Sequence, residues 1–186
     1  MATIRRERRE DAAAAEALVA EAFGPGRFAK SAYRLREGVK PVETLSFVVE
    51  HEGRIIGSVR YWPVDIGGAK ALLLGPIAIE RAMQGKGHAV ALMQTSLAAA
   101  REEGHRAVVL VGDEPYYARV GFARIHPAGR ITMPGPVDYA RLLGLSLVEG
   151  ALDATKGEIR KARLDESVAA PTTPSSAGVV LIKNLS

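Results

Sequence analysis

The apolar positions of this chain change their spacing several times, and each change marks an element. Residues 3–8 fit a short first strand. Asp11 stands where a helix N-cap belongs, ahead of an alanine-rich stretch in which Ala15, Leu18, Val19, Ala22 and Phe23 share one helical face. Gly24-Pro25-Gly26 ends that stretch. A second helical piece is predicted over residues 27–37. Residues 45–50 are rich in β-formers, Glu52-Gly53 is a tight turn, and 55–64 returns as a strand. Gly67-Gly68 turns the chain again into 70–79, a nearly continuous apolar run. Such a run is what a strand buried on both faces requires. Pro76 has no N–H for a ladder bond, so this strand is expected to bulge there.

A strong helix is predicted over 88–103, with Val90, Met93, Leu97 and Ala100 inward and Gly104 just past its end. Residues 107–111 read as a buried strand, 115–120 as a short helix, 122–125 as a strand, 127–136 as loop, and 145–148 as a final strand. Near residue 164 the composition shifts, and Pro171–Gly178 has the character of a flexible linker before an apolar end. The domain is therefore expected over 1–163 and a tail over 164–186. The tail's apolar end would suit an edge strand or a partner contact. The order of elements predicts an α/β (α+β) fold, a mixed sheet with helices on both faces.

Composition adds exclusions. The 186 residues contain no cysteine, which removes disulfides, thiolate metal sites and cysteine nucleophiles. The four histidines have no ligand-like spacing, so no metal is expected. No apolar run reaches membrane-spanning length, and the N-terminus carries no apolar signal segment, so a cytoplasmic protein off the membrane is expected. The net charge is +4, which could serve a polyanionic ligand or solubility alone. No aromatic-basic interleaving supports nucleic acid.

One segment stands out chemically. Gln84-Gly85-Lys86-Gly87-His88-Ala89 lies between the buried strand and the strong helix. Glycines there let the backbone approach a bulky ligand, and a helix N-terminus attracts anions. The nucleotide P-loop spelling fails, because Gly85-Lys86 is followed by Gly87 and the earlier glycine position holds Glu80. The dinucleotide spelling fails at Val90. A Gln-x-x-Gly-x-Ala loop remains, at Gln84, Gly87 and Ala89. Alone, it is either a pyrophosphate loop or a structural turn in a glycine-rich chain.

Downstream lies Tyr116-Tyr117-Ala118-Arg119-Val120-Gly121-Phe122, and upstream an Ile4-Arg5 strand leads into an Asp-Ala-Ala helix. In this order the three features resemble the GNAT superfamily of acetyltransferases, over about residues 3–126 and on toward 145–148. The wording Leu-Val-Gly-Asp-x-x-Tyr-Tyr-x-x-x-Gly-Phe resembles a poorly characterised bacterial branch of predicted N-acetyltransferases. The resemblance implies a mostly antiparallel sheet with a splayed central strand pair, and acetyl-CoA as co-substrate. It implies that backbone groups of Ile77, Ala78 and Ile79 hold the pantetheine arm and polarise the thioester. Gln84, Gly85, Lys86, Gly87, His88 and Ala89 would hold the pyrophosphate. Tyr117 matches the family's proton donor to the CoA thiolate, against the plainer reading of a packing aromatic.

The sequence departs from the resemblance in one place. Many relatives carry a carboxylate base on or near the central strand, and residues 72–79 have no acid. Glu80, Asp113, Glu114 and a water relay are all left open, the acids also serving as solvated or capping groups. The acceptor is expected to be a small-molecule or peptide amine, and a homodimer is admitted. Acceptor sites in this fold draw on the segments that are here 24–44 and 126–140. Arg27, Lys30, Arg34, Arg36 and Lys40 would favour an acidic acceptor, against the plainer reading of a solvated helix face. The rival function is a non-catalytic acyl-CoA sensor on the same fold.

Overall fold

The long apolar run becomes the centre of the sheet. The computed structural model of the chain describes residues 1–162. The tail expected over 164–186 lies outside the described residues. Along the chain run β1 (Ala2–Arg6), α1 (Ala12–Phe23), α2 (Ser31–Arg34), β2 (Phe47–His51), β3 (Arg54–Ile66), β4 (Ala69–Ile79) and α3 (His88–Glu102). Then follow β5 (Ala107–Val111), α4 (Glu114–Tyr117), β6 (Ala123–Arg124), β7 (Ile131–Thr132), β8 (Leu142–Ser146) and β9 (Gly157–Lys161). The sheet order is β1-β2-β3-β4-β5-β8-β6, with β9 pairing both β3 and β7. All pairs are antiparallel except β4–β5 and β7–β9.

Alternation along β4 and β5 builds two cores. Leu72, Leu74, Val108 and Leu110 face α3, whose buried stripe is Leu92, Met93, Ser96, Leu97 and Ala100. Ala71, Leu73, Ala107 and Val109 face the other way, toward Leu35, Trp62, Ile131 and Ile159. Val90, predicted to point inward, sits only half-buried. Ser96 is tolerated in the core because the Tyr61 and Ser96 hydroxyls share a hydrogen bond of 2.7 Å, and Ser96 donates to the Met93 carbonyl.

Two irregularities in β4 position the site. The β3–β4 register steps from Val59↔Ile77 to Tyr61↔Leu74, so Gly75 and Pro76 together face Arg60. This is the bulge predicted from Pro76. On the other side, β4 and β5 pair only at Leu72↔Val108 and Leu73↔Val109. Beyond Leu73 the two strands part, as the resemblance implied.

Other expectations need correction. The piece over 27–37 is not one helix. Pro25 opens a 3-10 turn, Pro25–Ala29, and the extended backbone of Lys30 (ψ 139°) separates it from α2. The final strand predicted at 145–148 starts earlier, as β8. The loop at 127–136 contains β7, and β9 was not predicted. Its sequence, Gly-Glu-Ile-Arg-Lys, buries only Ile159 and forms against the overhanging end of β3. Gly67 fixes this junction. It adopts φ 58°, and a Cβ there would overlap the Lys156 carbonyl.

Asp11 occupies the N-cap position of α1, yet its side chain does not cap that helix. It is 6% exposed and accepts from the Arg5 guanidinium at 2.6 and 3.0 Å and from the Arg8 N–H at 2.7 Å. Arg5 also donates to Glu50 at 2.7 Å, tying α1 to β1 and β2. The Arg5 hydrogen bonds hold the Asp11 carboxyl below its ordinary value, against the opposing effect of burial. Asp11→Asn is expected to lower stability by about 3 kcal/mol at neutral pH. A depressed carboxylate stabilises fully above its unfolded pKa of about 3.9 and loses that contribution as pH falls through the folded value. Denaturant melts should therefore show the gap between wild type and variant closing in acid. A gap that stays constant with pH would refute the assignment.

Candidate active site

The loop after β4 is shaped by conformation rather than crowding. A 3-10 turn, Arg81–Met83, leads into Gly85 (φ 75°) and Gly87 (φ 82°). A Cβ at either glycine would meet nothing within 4 Å, so the left-handed backbone is what calls for glycine. Gly87 is the N-cap of α3 and offers no side-chain cap. The first-turn N–H groups therefore stay available to an external anion, with roughly half a positive charge behind them. Gln84 turns back and donates from Nε2 to the Ile79 carbonyl at 3.1 Å.

The end of β4 presents backbone groups to the gap. Glu80 N–H donates to Ile56 on β3 at 2.8 Å. Main-chain groups alternate sides along a strand. Ile79 and Ile77 therefore turn their N–H and C=O groups away from β3, toward the space that β5 has vacated.

Two cavities meet at this point. The first, of about 430 Å³, lies between the α3 N-terminus, Ile77–Ile79, and Tyr116 and Tyr117 on α4. Of the ten residues singled out from the sequence, only Lys86 stays off its wall. Its Nζ sits 3.4 Å from the Met83 sulfur instead. The second cavity, of about 570 Å³, is bounded by α1, residues 27–39, the β3–β4 bulge and residues 136–141. Phe23, Ile77 and Tyr117 line both. Phe23 was expected on the buried face of α1. It is 40% exposed and stands at this shared wall.

Tyr117 is held by its ring. It packs edge-on against Tyr116 at 5.1 Å and Phe122 at 6.1 Å between centroids. Phe122 is buried and Gly121 (φ 96°) turns the chain into it. Behind the ring is Gly112, where a Cβ would overlap Tyr117 Cε2. Among the described residues the Tyr117 hydroxyl has no hydrogen-bond partner. Burial first, then Tyr116 and Asp113, push its pKa up to about 12, against the pull of Arg141 and Arg36. The phenol is therefore protonated at neutral pH.

The acids left open by the sequence are all engaged. Glu80 pairs with Arg54 at 3.1 Å, Asp113 with Arg141 at 3.1 Å, and Glu114 with Arg124 at 2.6 Å. Asp113 stands at the N-cap of α4 without capping it through its side chain. The five basic residues of 24–44 divide. Arg27, Lys30 and Arg36 line the larger cavity, and Arg34 and Lys40 do not. Trp62 also lines it, although the sequence marked it only as part of a strand. Nothing in the local pattern distinguishes Trp62 or Phe23, because both come to the site through tertiary packing. Among the described residues no cluster of His, Asp or Glu suits a metal ion, and no helix is long and apolar enough to cross a membrane.

Residues 12–126 match the model of the Acetyltransferase (GNAT) family. The uncharacterised N-acetyltransferase YhbS of Escherichia coli is 36% identical over 115 residues, covering 60% of this chain and 68% of YhbS. The crystal structure of E. coli YhbS in complex with CoA superposes with a TM-score of 0.72 at 30% identity, covering 87% of this chain and 89% of that one. A GNAT family acetyltransferase from Brucella melitensis, in complex with acetyl-CoA, gives 0.63 at 28% identity, covering 87% and 96%. With the parted β4–β5 pair and the uncapped helix behind its glycine loop, the chain belongs to the GNAT family of acetyltransferases.

Proposed function

We propose that the chain is an acetyl-CoA-dependent N-acetyltransferase in which an amine attacks the thioester directly. The observation that carries this reading is the shared wall. Ile77 and Tyr117 line both a cavity that ends at a helix N-terminus and a separate, larger one. A donor and an acceptor that enter from opposite sides would meet there.

In this reading the α3 N-terminus and the open backbone of Gly85 and Gly87 hold the pyrophosphate. His88 and Ala89 contribute first-turn N–H groups. Gln84 braces the Ile79 carbonyl, and Lys86 adds charge at the rim. The pantetheine arm lies along Ile77–Ile79 where β5 has turned away. The outward N–H of Ile77 or Ile79 polarises the thioester carbonyl, a role worth about 2.7–4 kcal/mol for one well-placed donor. The amine nitrogen bonds to the acetyl carbon, the C–S bond breaks, and Tyr117 gives its proton to the departing thiolate. A thiolate, whose thiol has a pKa of about 8.5, is less basic than a phenolate, so this transfer is driven by C–S cleavage, and the phenol regains its proton from the amine or from water. With Glu80, Asp113 and Glu114 each paired with an arginine, deprotonation of the amine falls to ordered water or to Glu37 or Asp138 on the larger cavity. Activity on the membrane, on nucleic acid or with a metal forms no part of the reading.

The rival is a CoA-binding module without turnover, and the lack of an acid over residues 72–79 favours it. Calorimetry with CoA, followed by thiol release from acetyl-CoA across a panel of amines, separates the two. The expected result is CoA binding and release that depends on an added amine. Binding without release on any amine would favour the sensor. No binding would sink both.

A further inference from the structure

Among the described residues, Arg36 is a shielded charge without an ion pair. It follows α2 in a turn closed by its own N–H to the Tyr33 carbonyl at 2.9 Å and by Val39 N–H to its carbonyl at 3.0 Å. Leu35, 2% exposed, pins the turn to the core. The guanidinium carbon lies 5.2 Å from the centroid of the Trp62 ring. Trp62 is itself fixed, donating from Nε1 to the Val39 carbonyl at 3.0 Å.

The guanidinium has no acid to answer it. Its Nε is sealed from solvent without a hydrogen-bond partner. Among the described residues Arg36 makes no ion pair and no side-chain hydrogen bond. The other arginines on the same wall are occupied, and Lys30 lies over the Phe23 ring at 5.6 Å. Arg60 is held by Glu7, Arg141 by Asp113, and Arg27 leans on Glu16 at 3.6 Å. None of the wall's acids pairs with Arg36 among the described residues, the neighbouring Glu37 included. Glu16 bridges Arg27 and Arg60, and Asp138 accepts from the Ala140 N–H. Burial lowers the Arg36 pKa to about 10, which leaves it charged at neutral pH. A shielded, unpaired charge is destabilising in a folded protein. Polar groups left in this state mark a function.

Its position points to the acceptor. The place where a Cβ on Gly75 would stand lies 3.3 Å from Arg36 Nη2 and 3.8 Å from the Ile77 nitrogen. Arg36 and the backbone proposed to bind the thioester therefore flank one small space. Tyr117 belongs to the same wall.

We infer that the amine acceptor carries a carboxylate, and that Arg36 selects it by a two-pronged hydrogen bond from the edge opposite Trp62. This rests on the acetyl-transfer reading and narrows its substrate class to amino acids. The guanidinium fork matches a carboxylate, and Trp62 and the turn at 33–39 hold it in place beforehand. Closeness to Ile77 favours a short spacer between amine and carboxylate, and the volume of the cavity leaves room for a side chain.

The test pairs alanine, methionine and phenylalanine with their carboxamides. A carboxamide has the more acidic ammonium and holds more free amine at neutral pH, so the comparison is biased against the proposal. In the wild type kcat/KM should favour each acid by about tenfold or more. Arg36→Gln and Arg36→Ala should bring acid and amide near parity by raising KM for the acid, with CoA affinity unchanged. Arg36→Lys should recover part of the preference. Trp62 is the only tryptophan, so its fluorescence gives a second readout that needs no turnover. In the CoA-bound wild type it should respond to the acids, and in Arg36→Gln it should not. Parity in the wild type, or a preference that survives both neutral variants, would overturn the inference and leave acetyl transfer standing. Failure to acetylate any amine strikes at the acetyl-transfer reading instead. The Trp62 titration then decides the carboxylate site alone, and a missing response overturns it.

Discussion

Tyr117→Phe should lower kcat by about 100-fold or more while CoA affinity stays nearly unchanged. The substitution removes one oxygen and keeps the ring, so the edge-on contacts with Tyr116 and Phe122 survive. Only a hydroxyl without a partner among the described residues is lost, so folding should be little affected. The pH profile offers a separate check. An ordinary phenol ionises at about pH 10. With its pKa raised to about 12, Tyr117 should keep its proton beyond that point, and turnover should hold its alkaline plateau past pH 10. Stopped-flow thiol release and CoA titration measure the two halves. An unchanged kcat would remove Tyr117 from the chemistry and leave it a packing residue.

Gly112→Ala is expected to damage the same step from behind. Gly112 has no left-handed φ, so its backbone would accept alanine, and only the space forbids it. The added Cβ would overlap Tyr117 Cε2 and press on Leu110 at 3.1 Å. Overpacking of this kind costs about 1–3 kcal/mol. Displacing the hydroxyl by even a fraction of its reach should lower kcat by about 10- to 100-fold. Coupling distinguishes this from general damage. In a Tyr117→Ala background the ring is gone, so adding Gly112→Ala should cost little further stability or activity. Fully additive losses would show that Gly112 acts elsewhere.

The features that repeat along the chain were legible in its sequence. The apolar run of β4, the turn glycines and the stripe of α3 each follow a local period, and Pro76 announced its bulge by lacking an N–H. The loop from Gln84 to Ala89 and Tyr117 could be located by spelling and order. Features that depend on distant contacts were not legible. β9 forms because β3 runs on past the end of β2, and only Ile159 in it is apolar enough to signal burial. Asp11 looked like a cap because its place before α1 fits one, while its real partner, Arg5, stands six residues back on β1. Arg36 was one of five similar basic residues in the sequence. The turn at 33–39 and the face of Trp62 separate it from Arg34 and Lys40.

The parting of β4 from β5 creates two sheet edges inside the molecule. Edges elsewhere in a fold can be shielded by twist, charge or a covering loop. Here the strands flanking the opening are the apolar ones, and of the outward groups of Ile77 and Ile79 only the Ile79 carbonyl has a partner among the described residues, the Gln84 side chain. A pantetheine arm laid between them would act as a missing strand. Ligand binding would then close a seam as well as supply a reactant, and stability would climb with the logarithm of CoA concentration. The empty protein would be the form most prone to self-association, and the cellular supply of the donor would set how much of it exists.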